Sequence, residues 1–292
     1  MRPALYVLLA LGRTGLSAIA PVDPGLFSTL ARYAAFASAS YSSNCRVPPF
    51  GTAVEKVIEN KGTSTQATIF RDDVNREFIL SWRGTSDVAD FLTDLDQTLV
   101  PCVAAGLSCG DCKCHNGYLK QFNSVQADLA AALGAGTAAR PGYSLVVTGH
   151  SMGGSLASIA AVALKGSAAN LTTYTYGQPR TGNQAYADFV DSTFGGQGGT
   201  MFRVTHKNDG VPQIPAQTDG YRHHTTEYWQ SVDPPAAATT FQCAGQEPTD
   251  CNQSVRGTGI GNGGVGINLA HLSYFGVSEG NPLNLNAACK GA

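Results

Sequence analysis

With 292 residues, the chain has material for one large domain or at most two, and for a core that needs no partner to close it. Only 14% of the residues are charged, 43% are hydrophobic and 34 are glycine, a balance that excludes a disordered chain and suits an exported globular one. A formal charge of −2 offers nucleic acid no electrostatic footprint.

Residues 1–20 have the form of a signal peptide. Arg2 gives the positive start, residues 4–11 the apolar middle, and Ala18-Ile19-Ala20 the small-x-small cleavage site before Pro21. The run, broken by Arg13, is too short to span a bilayer, and no later stretch is long and apolar enough to do so. In the mature part, residues 23–44 show Leu26, Phe27, Leu30, Tyr33, Ala34 and Ala37 at helical spacing, with Asp23 as the cap. Residues 66–70 and 77–82 predict two strands around the turn 71–75, the second running into Trp82-Arg83-Gly84-Thr85. Residues 86–96 place Val88, Phe91, Leu92 and Leu95 on one side of a short two-faced helix. It is either an ordinary surface helix or a lid whose apolar side covers the site.

Eight cysteines occur, Cys45, Cys102, Cys109, Cys112, Cys114, Cys243, Cys251 and Cys289. An even count in an exported chain implies disulfides, and residues 102–114 read as a loop stapled to itself. Zinc is the rival for that cluster, but no well-spaced histidine pair accompanies it, so neither metal nor cofactor is expected. The terminal Cys289-Lys290-Gly291-Ala292 has prenylation spacing, which an exported chain does not use. Asn170-Leu171-Thr172 and Asn252-Gln253-Ser254 are glycosylation sequons.

A helix over 118–133 is followed by the most informative stretch. An apolar strand, Leu145-Val146-Val147, leads into Gly149-His150-Ser151-Met152-Gly153-Gly154, and an apolar helix follows over 156–164. G-x-S-x-G between strand and helix is the nucleophile elbow, a strained turn that lifts the serine hydroxyl clear of the backbone. Further on come a strand over 171–176, a helix from Thr181 or Gly182 to Phe189, a strand over 201–205 and a late strand over 227–232. Strands alternating with helices predict an α/β architecture, a single domain around a mostly parallel sheet with helices on both faces. The glycine-rich stretch 257–266 reads as a loop, with no strand before it and no Lys-Ser or Lys-Thr after it to make a phosphate cradle.

A serine hydroxyl needs a base, and after an elbow serine the acid precedes the histidine. The histidines after Ser151 are His206, His223, His224 and His271. His271 fits best, being on the last loop before a C-terminal element, while His206 reads as structural. For the acid, Asp209 stands just past the strand 201–205, whereas Asp188 and Asp191 fall on a helix and Asp219 and Asp233 on polar loops. The oxyanion donors are expected from the N–H of Met152 and from Thr85, each worth about 3 kcal/mol in the barrier.

Taken together, Trp82-Arg83-Gly84-Thr85, the elbow, Tyr176-Gly177-Gln178-Pro179-Arg180-Thr181-Gly182-Asn183, Phe202-Arg203-Val204-Thr205-His206-Lys207-Asn208-Asp209 and Ala270-His271-Leu272-Ser273-Tyr274-Phe275 resemble the secreted filamentous-fungal lipases of the class 3 α/β-hydrolase type. The resemblance covers nearly the whole of residues 21–292. It implies Ser151, Asp209 and His271 as a triad, Thr85 and Met152 as the oxyanion hole, and residues 86–96 as the lid. It also implies the pairs Cys45–Cys289 and Cys109–Cys112, which leaves Cys102 with Cys114 and Cys243 with Cys251. The implied activity is hydrolysis of acylglycerol esters at a lipid–water interface, by transient contact and without cofactor or metal. Methionine stands where the family usually has leucine after the serine, and the lid lacks the tryptophan of several members. Feruloyl esterases share the fold and most of these motifs. They, other short-chain esterases, and a catalytically dead lipid- or wall-binding homologue are the alternatives.

Overall fold

The computed structural model describes residues 19–85, 96–168, 170–280 and Cys289. The expected leader therefore lies outside the described residues except for Ile19 and Ala20. The expected lid, with Val88, Phe91, Leu92 and Leu95, lies outside them except for Asp96.

A two-residue strand, β1 (Ala20–Pro21), precedes α1 (Pro24–Ala39). Asp23 caps α1 as its sequence predicts: its carboxylate accepts from the N–H of Gly25 at 2.8 Å and of Leu26 at 3.0 Å. Pro24 occupies the first turn, where no N–H is needed. The helix ends at Ala39, short of residue 44, where the Ser40 hydroxyl bonds back to the Ala37 carbonyl. Next come β2 (Ala53–Asn60), β3 (Thr65–Asp72) and β4 (Glu77–Trp82), an antiparallel run. No apolar period announces β2 in the sequence. It is an edge strand with Glu55, Lys56 and Glu59 along it and only Ile58 buried, so its apolar alternation is faint.

Beyond lie β5 (Leu99–Pro101), β6 (Lys113–His115), α2 (Asn116–Asn123) and α3 (Gln126–Ala139). The single helix expected over 118–133 is thus two. Ser124 turns its hydroxyl onto the Gln121 carbonyl at 2.7 Å, a local bond that competes with the helix ladder, and Val125 leaves helical geometry to bury its side chain.

The chain continues through β7 (Ser144–His150), α4 (Met152–Leu164), β8 (Leu171–Tyr176), β9 (Gly182–Asn183) and α5 (Gln184–Phe194). The helix expected from Thr181 or Gly182 starts at Gln184 instead. Asn183 serves as its cap, accepting from the Tyr186 N–H at 3.0 Å, while Gly182 and Asn183 pair as strand. The remaining strands are β10 (Met201–His206), β11 (Tyr221–Arg222), β12 (Glu227–Gln230), β13 (Thr240–Gln242), β14 (Ser273–Tyr274) and β15 (Val277–Ser278).

Nine strands form the main sheet in the order β1-β13-β12-β10-β8-β7-β4-β3-β2. The expected parallel sheet is its centre: β4, β7, β8, β10 and β12 run parallel, and antiparallel strands flank them on both sides. Period-two alternation decides which face each residue meets. Leu145 and Val147 of β7 pack with Phe78, Leu80 and Trp82 of β4 and with α2, α3, α4 and α5. Val146 points the other way, with Ile79, Tyr174 and Tyr176, under α1. α4 is buried at every position from Met152 to Ala163, as a helix wedged between sheet and neighbouring helices must be.

All eight cysteines are spent in four disulfides, Cys45–Cys289, Cys102–Cys114, Cys109–Cys112 and Cys243–Cys251, the pairing that the resemblance implies. None is left as a thiolate for zinc.

Candidate active site

At the end of β7 the chain reverses into α4 within one residue. Ser151 sits at φ 58° and ψ −132°, a conformation that costs a non-glycine residue on the order of 1–3 kcal/mol and that the surroundings must enforce. They do so by hydrogen bonds from Ser151 N to the Tyr176 carbonyl and from Gly154 N to the Ser151 carbonyl, both 2.8 Å. The small residues around it are a steric demand. A Cβ on Gly149 would lie 2.2 Å from the Gly153 carbonyl oxygen, and one on Gly153 would lie 2.3 Å from that of Trp82. The turn leaves Ser151 buried at the N-terminus of α4, the positive end of the helix.

Asp209 follows β10, three residues past its last, and is completely buried. One carboxylate oxygen accepts from the Val211 N–H at 2.9 Å. The other accepts from His271 Nδ1 at 2.9 Å and from the Tyr274 hydroxyl at 2.5 Å. Three donors replace the water that burial removes. The Asn252 amide fixes the loop beneath by donating to the carbonyls of Lys207 at 3.1 Å and Asp209 at 3.0 Å.

Because Nδ1 of His271 donates to Asp209, its Nε2 is left as the acceptor nitrogen. The backbone of this histidine is held from both ends. Its N–H donates to the Asn268 carbonyl at 3.1 Å, and its carbonyl accepts from His150 Nε2 at 2.8 Å. A carbonyl can only accept, so His150 is protonated on Nε2, and its Nδ1 accepts the Tyr41 hydroxyl at 2.8 Å. Burial, with His271 beside it, pulls His150 well below the usual histidine range and keeps it neutral. A Cβ at Gly177 would come within 2.9 Å of both the Asp209 carboxylate and the His271 ring, so this position admits no side chain.

Ser151, His271 and Thr85 line one small cavity, together with Tyr41, His150 and Glu279. The expected serine, histidine and acid are thus brought together, although 58 and 62 positions part them along the chain. Thr85 also stands over the start of α4, its hydroxyl 3.4 Å from the Met152 sulfur. The roomier hollows, between β2 and α3 and between α3 and the start of β8, hold no serine–histidine pair.

The other candidates sit elsewhere. His206 is structural, bonding the Ala270 carbonyl at 2.8 Å and Asp233 at 3.0 Å, and so it braces the loop that carries His271. His223 and His224 bond the carbonyls of Pro212 and Thr225. Asp188 and Asp191 bond Gln246, and Asp191 also holds Thr225. Of the two sequons, Asn170 is exposed, whereas Asn252 is buried with its amide committed to the Asp209 loop, so a glycan on Asn252 is incompatible with this fold. Sequence reasoning passed over the roles of Tyr41, His150, Asn252, Tyr274 and Glu279. Two of them lie inside the quoted motifs, but their partners are more than sixty residues away and only folding brings them near.

The family profile described as lipase (class 3) matches residues 79–219. A secreted mono- and diacylglycerol lipase 1 of Fusarium solani is 35% identical over 218 residues, 73% of this chain but only 60% of that protein's length. A secreted alkaline triacylglycerol lipase of Penicillium cyclopium is 30% identical over 272 residues, 92% of this chain and 90% of the relative. Among solved structures, a triacylglycerol lipase of Penicillium expansum superposes with a TM-score of 0.79 at 29% identity, covering 92% of this chain and 99% of that one.

Proposed function

Because the chain belongs to the class 3 lipase family, we propose that it is an exported carboxylic ester hydrolase that cleaves acylglycerols, with Ser151, His271 and Asp209 as its catalytic groups. The observation that carries the reading is the 2.9 Å bond from His271 to the buried Asp209, with His271 lining the cavity that the strained Ser151 also lines. In this reading residues 1–20 are the leader and residues 21–292 the enzyme.

Nε2 of His271 takes the Ser151 proton as Oγ attacks the ester carbonyl, and Asp209 steadies the imidazolium. The N–H of Met152, at the positive end of α4, and Thr85 receive the oxyanion. His271 then hands the proton to the departing alcohol. Water releases the acid from Ser151 by the same steps with His271 again as base.

A lipid surface is favoured over a soluble ester by the loop that carries His271. Its Leu269 is 86% exposed and Ile260, which pairs with Ile267 just before that loop, is 64% exposed. Large apolar side chains standing in water beside a reaction centre suit contact with an oil phase. A fluorophosphonate probe is expected to label the native chain once and to leave Ser151→Ala unlabelled and inactive. Turnover of triacylglycerol or monoacylglycerol emulsions is expected to exceed turnover of methyl ferulate. Preference for methyl ferulate would move the assignment to the feruloyl esterases, and absence of labelling would end the enzyme reading.

A further inference from the structure

One wall of the cavity beside Ser151 has no task in the steps above. Glu279 directly follows β15, its N–H donates to the Leu272 carbonyl at 3.0 Å, and its side chain is fully buried. Among the described residues neither of its carboxyl oxygens has a hydrogen-bond partner. Native interiors rarely keep such a group without a use for it. Among the described residues no cation compensates it: the titratable groups around it are Tyr41, Tyr176 and Tyr274, with His150 and His271 across the cavity. Burial pushes the carboxyl well above its usual range, which favours its neutral form, with one O–H to donate and one carbonyl oxygen to accept. The cavity it shares with Ser151 and His271 offers about 10 Å³ to the centre of a water molecule, which is room for one.

We propose that Glu279 holds the hydrolytic water: a water molecule bound to its carboxyl sits beside Ser151 and His271 and is the nucleophile that attacks the acyl-enzyme. This rests on the serine-hydrolase reading. The carbonyl oxygen of Glu279 accepts one hydrogen of the water and His271 Nε2 takes the other as the water oxygen bonds to the acyl carbon. Collapse of the tetrahedral intermediate breaks the bond from that carbon to Ser151 Oγ. His271 returns the proton to Oγ and the carboxylic acid departs, leaving Glu279 with the protons it began with.

The test is the partition of the butyryl-enzyme between water and an added alcohol. Native chain, Glu279→Gln, Glu279→Leu and Glu279→Met are given p-nitrophenyl butyrate with methanol, and the ratio of methyl butyrate to butyric acid is measured. The Leu and Met variants lose the water's partner, and their ratio is expected to rise about tenfold, the worth of one hydrogen bond. The Gln variant keeps a donor and an acceptor, and its ratio is expected to stay within about twofold of native. The first-turnover burst of p-nitrophenol, which reports Ser151 acylation and a folded site, is expected to be unchanged in all four. A ratio that does not move in Leu and Met, or that moves as far in Gln, overturns the proposal. A native chain that releases no p-nitrophenol overturns the hydrolase reading itself and this proposal with it.

Discussion

At Asp209 three donors converge on one buried carboxylate, and two of them come from a single short segment, His271 and Tyr274. The Tyr274 hydroxyl stays a donor, because burial next to Asp209 raises it well above the ordinary tyrosine range. Tyr274→Phe removes that donor and keeps the ring. It is expected to lower kcat/KM about tenfold, with the circular dichroism of the native chain retained. An unchanged kcat/KM would show that the Val211 N–H and His271 satisfy the carboxylate alone. Asn252 acts one step further back, holding two carbonyls of the turn that presents Asp209. Asn252→Ala leaves both without that donor, and the expected loss, read from urea unfolding, is about 2 kcal/mol. Expression of Asn252→Gln with native mobility would agree with a sequon that carries no glycan.

At the scale of elements, the site is assembled from strand ends. β7 delivers Ser151, β10 delivers Asp209, and the segment before β14 delivers His271. The Cys45–Cys289 disulfide ties the stretch after α1, which supplies Tyr41, to the chain beyond Gly280, and it closes a span of 244 residues. Cys45→Ser with Cys289→Ser is expected to cost about 4 kcal/mol of stability, measured by denaturant unfolding, since so long a loop gains much entropy when opened. A cost below about 1 kcal/mol would mean that residual structure already keeps these two segments close in the unfolded ensemble. Elements visible in the sequence were those with a strong apolar period and a clear cap, α1 and the β7–α4 pair above all. Among those missed or misjudged were β2, whose edge position lets it carry charge, the short strands of two or three residues, too brief to show a period, and the α2–α3 break, which one serine hydroxyl and the burial of Val125 impose.

For the molecule as a whole, buried neutral histidines set the acid side of its stability. His115 and His224 are each pulled down to about 4, both chiefly by burial, and His150 and His223 lie well below the usual range. In the unfolded chain these groups titrate near 6.5. Between those values the unfolded chain binds more protons, so stability is fully present above about pH 6.5 and is lost as the pH falls through about 4. Glu279 has the opposite sign. Its raised value favours the folded state at low pH and disfavours it as the pH climbs above about 4.5, but it is one group against four. The melting temperature is therefore expected to fall as pH is lowered from about 7 to about 4. A flat or rising profile over that window would contradict the burial of these rings.

The sequence by itself determined the elbow, the order serine, acid, histidine, the loop that carries each, and the family they belong to. Those signals are local: two glycines that a turn demands, an apolar run before it, a residue standing just past a strand. Tertiary structure alone decided that His150 and Tyr41 brace the His271 backbone, that Tyr274 and Asn252 secure Asp209, and that a glutamic acid with no partner among the described residues shares the serine's cavity. Each of those depends on what lies across a gap of tens to more than a hundred residues. A side chain's spacing along the chain says which face it takes, while its hydrogen-bond partner is chosen only when the sheet and its loops have closed around it.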